Sequence, residues 1–199
     1  MELRDAILRR RMVRAYDRTR PVPRDQLELL LELATHAPSA GFSQGWQFLV
    51  LDDAGSVDHF WQASTEADAF DGRWLAGMRS APVVIVAFSD KEAYLDRYAE
   101  PDKGWTDRDE GRWPVPYWHI DTGMACLLVL LGAVEARLAA CFFGIPASRW
   151  DALRAAFAVP ERLTPIGAIS VGHGAEDQRS PSLRRGRRPV ADVVNYGSF

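Results

Sequence analysis

Arginine clusters near the two ends of the chain are the residues best suited to binding an anion. The clusters are Arg10, Arg11 and Arg14 near the amino terminus, and Arg184, Arg185, Arg187 and Arg188 near the carboxyl terminus. Guanidinium groups offer paired donors that match a phosphate dianion, and the Pro-Ser-Ala-Gly loop at residues 38–41 adds a hydroxyl and backbone N–H groups. Because arginines are most often solvated surface residues, the clusters indicate a phosphate site only when another feature supports it.

A second candidate site is the sequence Gly41-Phe42-Ser43-Gln44-Gly45, which matches the G-x-S-x-G pattern of a hydrolase nucleophile elbow. The elbow requires a strand before the serine and a helix after it, whereas the predicted order here is helix and then strand. His173 as a base, with Asp151 or Asp121 to orient it, would complete a triad. A serine hydrolase is therefore kept only as a remote alternative.

The remaining chemistry-bearing residues form no recognised motif. The sequence contains no H-E-x-x-H metal site, no Walker loop and no G-x-G-x-x-G fingerprint, and the four histidines are scattered. Cys126 and Cys141 are too far apart for a C-x-x-C pair, and we interpret them as core residues of a protein in a reducing compartment. We expect no metal.

Length and charge restrict the class of protein. The length of 199 residues favours one domain over residues 1–199. The 24 Lys and Arg residues against 27 Asp and Glu give a net charge of −3, which argues against nucleic-acid binding. The amino terminus lacks the apolar core of a signal peptide, and the longest apolar run, Met124–Val134, is shorter than the ~18 residues of a membrane helix. We expect a cytoplasmic protein.

Hydrophobic spacing predicts the elements of the amino-terminal half. Residues 2–14 place Leu3, Ile7 and Leu8 on one helical stripe, which would put Arg10 and Arg14 on a common helix face. A second amphipathic helix begins near Asp25 and ends before the loop at residues 36–41. Residues 46–51 and 83–87 are predicted strands, with one or two helices between them over residues 56–80.

The carboxyl-terminal half is predicted to contain a long, buried helix over residues 118–138. Ser148 and Asp151 resemble a capping box before a further helix, and residues 165–171 form a predicted strand. Between residues 100 and 116 the chain is rich in Gly, Pro and charge, but Trp105 and Trp113 indicate an ordered loop that could act as a lid. The sequence shows no internal repeat.

Several short motifs occur in an order and spacing that are hard to reach by chance. The segments are residues 10–16 (RRMVRAY) with Val22-Pro23 after them, 37–48 (APSAGFSQGWQF), 140–144 (ACFFG), 169–172 (ISVG), and Arg185-x-Arg187-x-Pro189. Together they resemble the FMN-dependent nitroreductase family, in a match that runs from about Arg10 to Val194. Met12, Phe42 and Gly45 replace that family's usual serine, asparagine and proline, which indicates a divergent subgroup.

The resemblance implies an α+β fold with a central, mainly antiparallel sheet flanked by helices. It also implies a homodimer that buries a long helix at its interface and binds FMN there. The residues that match the family's cofactor-binding positions are Arg10, Arg11, Met12, Arg14, Pro38, Ser39, Ala40, Arg73, Phe143, Gly144, Arg185 and Arg187.

The same resemblance implies a role for several of these residues. The FMN phosphate would pair with Arg10, Arg185 and Arg187. Arg14 would lie near flavin N1 and O2, where a fixed cation stabilises the reduced, anionic flavin. Ser39 and the Pro38 backbone would reach the cofactor of the partner subunit, while the backbone at residues 143–144 would lie beside flavin N5.

The implied activity needs no side-chain nucleophile. NADH or NADPH, or a deazaflavin in their place, would reduce the flavin and leave. An electron-poor acceptor such as a nitroaromatic or a quinone would then bind where the reductant had been, in a ping-pong cycle. A flavin store or sensor with little turnover is the alternative that the Met12 and Phe42 departures keep open.

Five aromatic residues have two alternative roles, which are to cover the flavin or to pack in the core and interface. They are Tyr94, Tyr98, Trp105, Trp113 and Trp118.

Overall fold

A four-stranded antiparallel sheet forms the centre of the fold in the computed structural model, which describes residues 1–66, 73–177 and 180–199, and for residue 73 the backbone alone. The strands are β1 (Trp46–Leu51), β2 (Val83–Asp90), β3 (Ala139–Phe143) and β4 (Leu163–Gly172). Their order in the sheet is β1-β2-β4-β3, and each neighbouring pair is antiparallel. The predicted α+β architecture with an antiparallel sheet is confirmed.

Helices cover both faces of this sheet. The α-helices of the described residues are α1 (Leu3–Arg9), α2 (Arg24–Thr35), α3 (Ala54–Ser64), α4 (Arg73–Met78), α5 (Lys91–Ala99), α6 (Tyr117–Glu135) and α7 (Trp150–Phe157). The predicted strands at 46–51 and 83–87 are confirmed, with β2 three residues longer than expected. The aligned segment at residues 140–144, expected only as a loop, belongs largely to strand β3.

The alternation of side chains along β2 explains why the sheet carries two hydrophobic layers. All eight residues of β2 are buried. Val83 and Ile85 face the cluster built on α2 and α6, whereas Val84 and Val86 face the cluster built on α3, α4 and α7. A central strand covered on both faces must be apolar throughout, which is the pattern that predicted it.

Helix α6 is the longest helix and packs against α2 and the sheet. By length and mean hydropathy alone it could cross a bilayer, but half of its apolar window is buried inside the fold, as expected of a core helix. Ile120 and Leu127 remain about half exposed, at 46% each. One stripe of this apolar helix is therefore left uncovered by its own chain.

Two local predictions are wrong. The first helix ends at Arg9, and residues 10–16 continue as extended chain because Met12 forms a bridge with Ala140 instead of a helical hydrogen bond. Arg10 and Arg14 therefore do not share a helix face. The capping box is also absent, since the Ser148 hydroxyl donates to Glu66 (2.6 Å) and no side chain caps α7.

Candidate functional site

The arginine-bearing segment at residues 10–16 lies along the edge of the sheet. Met12 pairs with Ala140 in a parallel bridge, and Tyr16 pairs with Gly174 in an antiparallel one. Backbone hydrogen bonds from Val13 N–H to the Ala140 carbonyl (3.1 Å) and from Asp17 N–H to the His173 carbonyl (2.8 Å) fix its register. The first arginine cluster is thereby held beside β3.

The charges of Arg10 and Arg14 act on the buried thiol of Cys141 in β3. Burial raises the pKa of this thiol, and the two guanidinium groups act against that effect. Nη1 of Arg10 is buried without a hydrogen-bond partner among the described residues. The side chain of Arg14 contacts only the Met12 carbonyl, at 3.4 Å, within the described ranges. Both cations therefore retain donors for an external anion.

Three residues that sequence reasoning missed support this segment. The carboxylate of Asp177 accepts the backbone N–H of Arg14 (3.0 Å), and the Ser80 hydroxyl accepts the N–H of Tyr16 (2.8 Å). Gly77 lies so close that a Cβ there would stand 2.2 Å from the Arg14 carbonyl oxygen. None belongs to a recognisable motif, so no sequence signal distinguished them.

Phe143 and Gly144 line a small, mostly apolar pocket at the end of β3. The pocket has a volume of about 140 Å³, and its lining includes Trp61 of α3 and Trp74 of α4. The ring of Phe143 stacks on Trp61 (centroids 5.3 Å apart, planes at 11°) and meets Trp74 edge-on. Gly144 is exposed at the rim. This end of β3 therefore presents free backbone beside an aromatic wall.

The loop with the Pro-Ser-Ala-Gly sequence crosses the start of α6 and packs on α5. The backbone N–H of Ala40 donates to the buried carboxylate of Asp121 (2.9 Å), and the Gly41 carbonyl accepts from Arg97 (2.9 Å). The hydroxyl of Ser39 accepts the N–H of Gln44 (3.0 Å). The loop is thus well ordered, and its Ser39 hydroxyl retains its proton for a further acceptor.

Several other predicted site residues are exposed. Arg185 and Arg187 lie on the exposed carboxyl-terminal tail, where no ion pair holds them to any described residue, and Arg11 is exposed. Pro38 is exposed at the end of α2. The side chain of Arg73 lies outside the described residues, although its backbone begins α4.

The remaining candidate residues have structural partners. The Ser43 hydroxyl donates to the Ala40 carbonyl (2.6 Å), and the segment lies between a 3-10 turn and strand β1, which is not the context of a nucleophile elbow. Tyr94 and Trp118 are buried, and with Tyr98, Trp105 and Trp113 they form one aromatic cluster. Within a single chain, core packing accounts for these two buried rings.

Comparison with known families gives a match over most of the chain. The model of the nitroreductase family matches residues 7–173, which include the arginine segment, the Pro38–Gly45 loop and all four strands. A sequence relative from Methanothermobacter thermautotrophicus, an NADH dehydrogenase/NAD(P)H nitroreductase candidate, is 25% identical over 186 residues, covering 92% of this chain and 83% of that protein.

Solved structures share the whole architecture. A nitroreductase candidate in complex with FMN from Desulfovibrio desulfuricans is 27% identical, with a TM-score of 0.74 and coverage of 100% of this chain and 98% of that one. A nitroreductase family protein from Clostridium difficile, 23% identical, covers both chains completely with a TM-score of 0.70. The second likeness, at that identity, concerns the fold alone.

Proposed function

This chain belongs to the nitroreductase family, and from that premise we propose that it is an FMN-dependent oxidoreductase that uses NAD(P)H to reduce an electron-poor acceptor such as a nitroaromatic or a quinone. The observation that carries the proposal is the pairing of residues 10–16 with β3. The pairing sets two arginines that have unused donors among the described residues beside β3, the strand that ends in Phe143, and this supports a site along that strand.

The residues of this edge fit FMN in chemistry. A buried guanidinium nitrogen without a partner is costly unless a ligand satisfies it, and the Arg10 Nη1 atom is in that position among the described residues. A phosphate dianion would supply the missing acceptors. We assign Arg10, together with Arg185 and Arg187 of the exposed carboxyl-terminal tail, to the phosphate. We assign Arg14 to the anionic edge of the flavin ring.

When bound, FMN would supply a two-electron carrier between the nicotinamide and the acceptor. The protein's own contribution is positioning and electrostatics. The backbone of Arg14 is fixed by Asp177 and by the pairing of its segment with β3, which limits the positions its charge can take when negative charge develops near it. The thiol of Cys141 stays protonated because burial raises its pKa, and it therefore adds no competing negative charge.

Two departures from the family motif have a structural counterpart. The side chain of Met12 packs against both hydrophobic layers, so it takes a packing role in place of a hydrogen-bonding one. Phe42 is 72% exposed on the loop and holds a left-handed backbone conformation (φ 58°). Both departures leave Arg10 and Arg14 in the sequence, which supports turnover over simple flavin storage.

We further propose that two copies of the chain form a homodimer in the cytoplasm. The exposed stripe of α6, with Ile120 and Leu127, is apolar surface that a second copy would cover. The carboxyl-terminal tail is exposed throughout residues 181–199 and ends in Tyr196 and Phe199, at 91% and 112% exposure. Pairing would bring the Pro38–Gly45 loop of one copy near the arginine segment of the other.

The test is the visible absorption spectrum of the purified protein, followed by anaerobic addition of NADPH or NADH and then of a nitroaromatic or quinone. We expect a yellow protein that bleaches with the nicotinamide and recolours with the acceptor. A protein that stays yellow with both nicotinamides would favour flavin storage or a different reductant. A colourless protein that cannot be reconstituted with FMN would overturn the proposal.

A further inference from the structure

Asp121 is a buried acidic residue on a helix that is otherwise largely apolar. It lies on the apolar helix α6 and is only 2% exposed. A single oxygen, Oδ2, accepts both the N–H of Ala40 (2.9 Å) and the hydroxyl of Tyr94 (2.8 Å). A buried carboxylate is tolerated only where such donors replace its hydration, so the loop and helix α5 are both tied to this one group.

The other side of the same loop is held by Arg97 of α5. Its Nε atom donates to the Gly41 carbonyl (2.9 Å), and its two terminal nitrogens bind Asp102 in a bidentate pair at 2.7 Å each. The guanidinium is therefore oriented before it meets the loop. Adjacent backbone groups of the loop, at residues 40 and 41, are thus fixed by side chains of two different helices.

Close packing leaves this loop no alternative path. A Cβ at Gly41 would stand 2.6 Å from the ring of Tyr98, and one at Gly45 would stand 2.5 Å from the ring of Tyr94. Gly41 also holds a left-handed conformation (φ 61°), which glycine adopts at little cost. The aromatic face of α5 and the two anchors together define one loop geometry.

We infer that Asp121 is a positioning residue. Together with Tyr94 and Arg97 of α5, it forms a clamp that holds the Pro38–Gly45 loop against α6. The clamp presents Ser39 and Ala40 to the cofactor in a preset geometry. This inference rests on the proposed FMN function. Because α6 also carries the exposed apolar stripe, the clamp joins the cofactor loop to the face proposed to meet the second subunit. Flavin affinity then depends on residues that lie outside every cofactor motif.

The experiment compares Tyr94→Phe and Asp121→Asn with a matched control, Thr122→Val. Thr122 is fully buried on the same helix, and among the described residues its hydroxyl bonds to the Trp118 carbonyl, so the control removes a buried hydroxyl without changing a group that holds the loop. Two quantities are measured in each protein: amide hydrogen exchange at Ala40 in the flavin-free state, and the dissociation constant for FMN. Tyr94→Phe removes one oxygen atom and is expected to fold.

We expect both test variants to speed exchange at Ala40 and to raise the FMN dissociation constant by about tenfold, with the control unchanged. The visible circular dichroism of bound flavin should change with them, which a general loss of stability would not cause. Unchanged exchange at Ala40 would overturn the clamp. Faster exchange at Ala40 with unchanged FMN affinity would overturn the positioning role of Asp121. A wild-type protein that binds no FMN would overturn the proposed function, but the exchange rates would still test whether the clamp exists.

Discussion

The two segments that bear the candidate cofactor residues are held in place by different means. The segment at residues 10–16 pairs backbone to backbone with β3 and with the chain after β4, and Asp177 and Ser80 accept two of its other N–H groups. Its arginine side chains keep unused donors among the described residues. The Pro38–Gly45 loop has a backbone hydrogen bond to β2 at its end, from the Asp90 N–H to the Gly45 carbonyl (2.7 Å), while side chains of α5 and α6 fix its backbone at residues 40 and 41.

This difference predicts how each segment responds to mutation. Where the backbone ladder holds the chain, a charged side chain can be removed with little effect on folding. Where distant side chains hold the chain, removing one of them disturbs both the fold and the site. Mutations of the arginines in the first segment should therefore change FMN binding without changing the stability of the protein. Mutations of the side chains that hold the second segment should change both.

The largest effect is expected for Asp121→Leu. The substitution leaves the Ala40 N–H and the Tyr94 hydroxyl buried without an acceptor, at a cost of about 1–3 kcal/mol for each group. Chemical denaturation of the flavin-free protein would measure this loss, with Thr122→Val as the control. A variant as stable as the wild type would show that the loop does not depend on the carboxylate.

For the arginine segment, Arg14→Ala and Arg187→Ala should each weaken FMN binding by about 1.5–3 kcal/mol through loss of a charge-assisted contact. Stability of the flavin-free protein should hardly change, because neither side chain forms an ion pair with a described residue. Fluorescence titration with FMN measures the affinity, and exposed Arg9 provides a matched Arg→Ala control. Stoichiometric flavin in the double variant would refute the assignment.

Gly77→Ala tests the backbone support of that same segment. The added Cβ would meet the Arg14 carbonyl oxygen at 2.2 Å, so helix α4 or the segment must shift, at a cost of roughly 1–3 kcal/mol. Ala76→Ser adds one atom to the exposed face of the same helix and serves as the control. If thermal unfolding and FMN affinity of Gly77→Ala match the control, the close approach does not position Arg14.

The smallest effect concerns His119, which lies outside both segments and bonds to Ser89 (Nδ1 to Oγ, 2.8 Å). Burial lowers the pKa of this histidine in the folded protein, so the unfolded chain binds the proton more readily. Stability should therefore fall as the pH drops below about 6.5, and His119→Gln should reduce that fall. Urea unfolding at pH 7.5 and 5.5 measures it, with exposed His36→Gln as the reference. Equal pH dependence in all three proteins would contradict the prediction.

Hydrophobic periodicity predicted the helices and strands in which the buried residues follow one regular pattern along the chain. Strand β2 is buried on both faces and α2 on one stripe, and each pattern appears directly in the order of apolar residues. The path of residues 10–16 was mispredicted because their local pattern suits a helix, while the bridge from Met12 to Ala140 joins positions 128 residues apart. Local propensity cannot report a partner so distant in sequence.

The candidate site divides in the same way. Arg10, Arg14 and the Pro38–Gly45 loop were found because motif residues carry the chemistry themselves. Arg97 and Gly77 were missed, and Asp121 was named only as a member of the hypothetical hydrolase triad, because these residues act through the groups they contact. A buried aspartate or a helical glycine has no sequence signature of its own. The single-domain organisation and the residue roles remain predictions.

The amino-acid sequence by itself determined the family, the apolar strands and the arginines that suit an anion, since these depend on residue type and spacing. Only the tertiary structure decided which arginines have unused donors, how the segment that bears them is aligned on β3, and which carboxylate holds the loop. The physical reason is that hydrogen bonds and close packing join atoms in space. Residue spacing records such contacts only when they lie within one helix or strand.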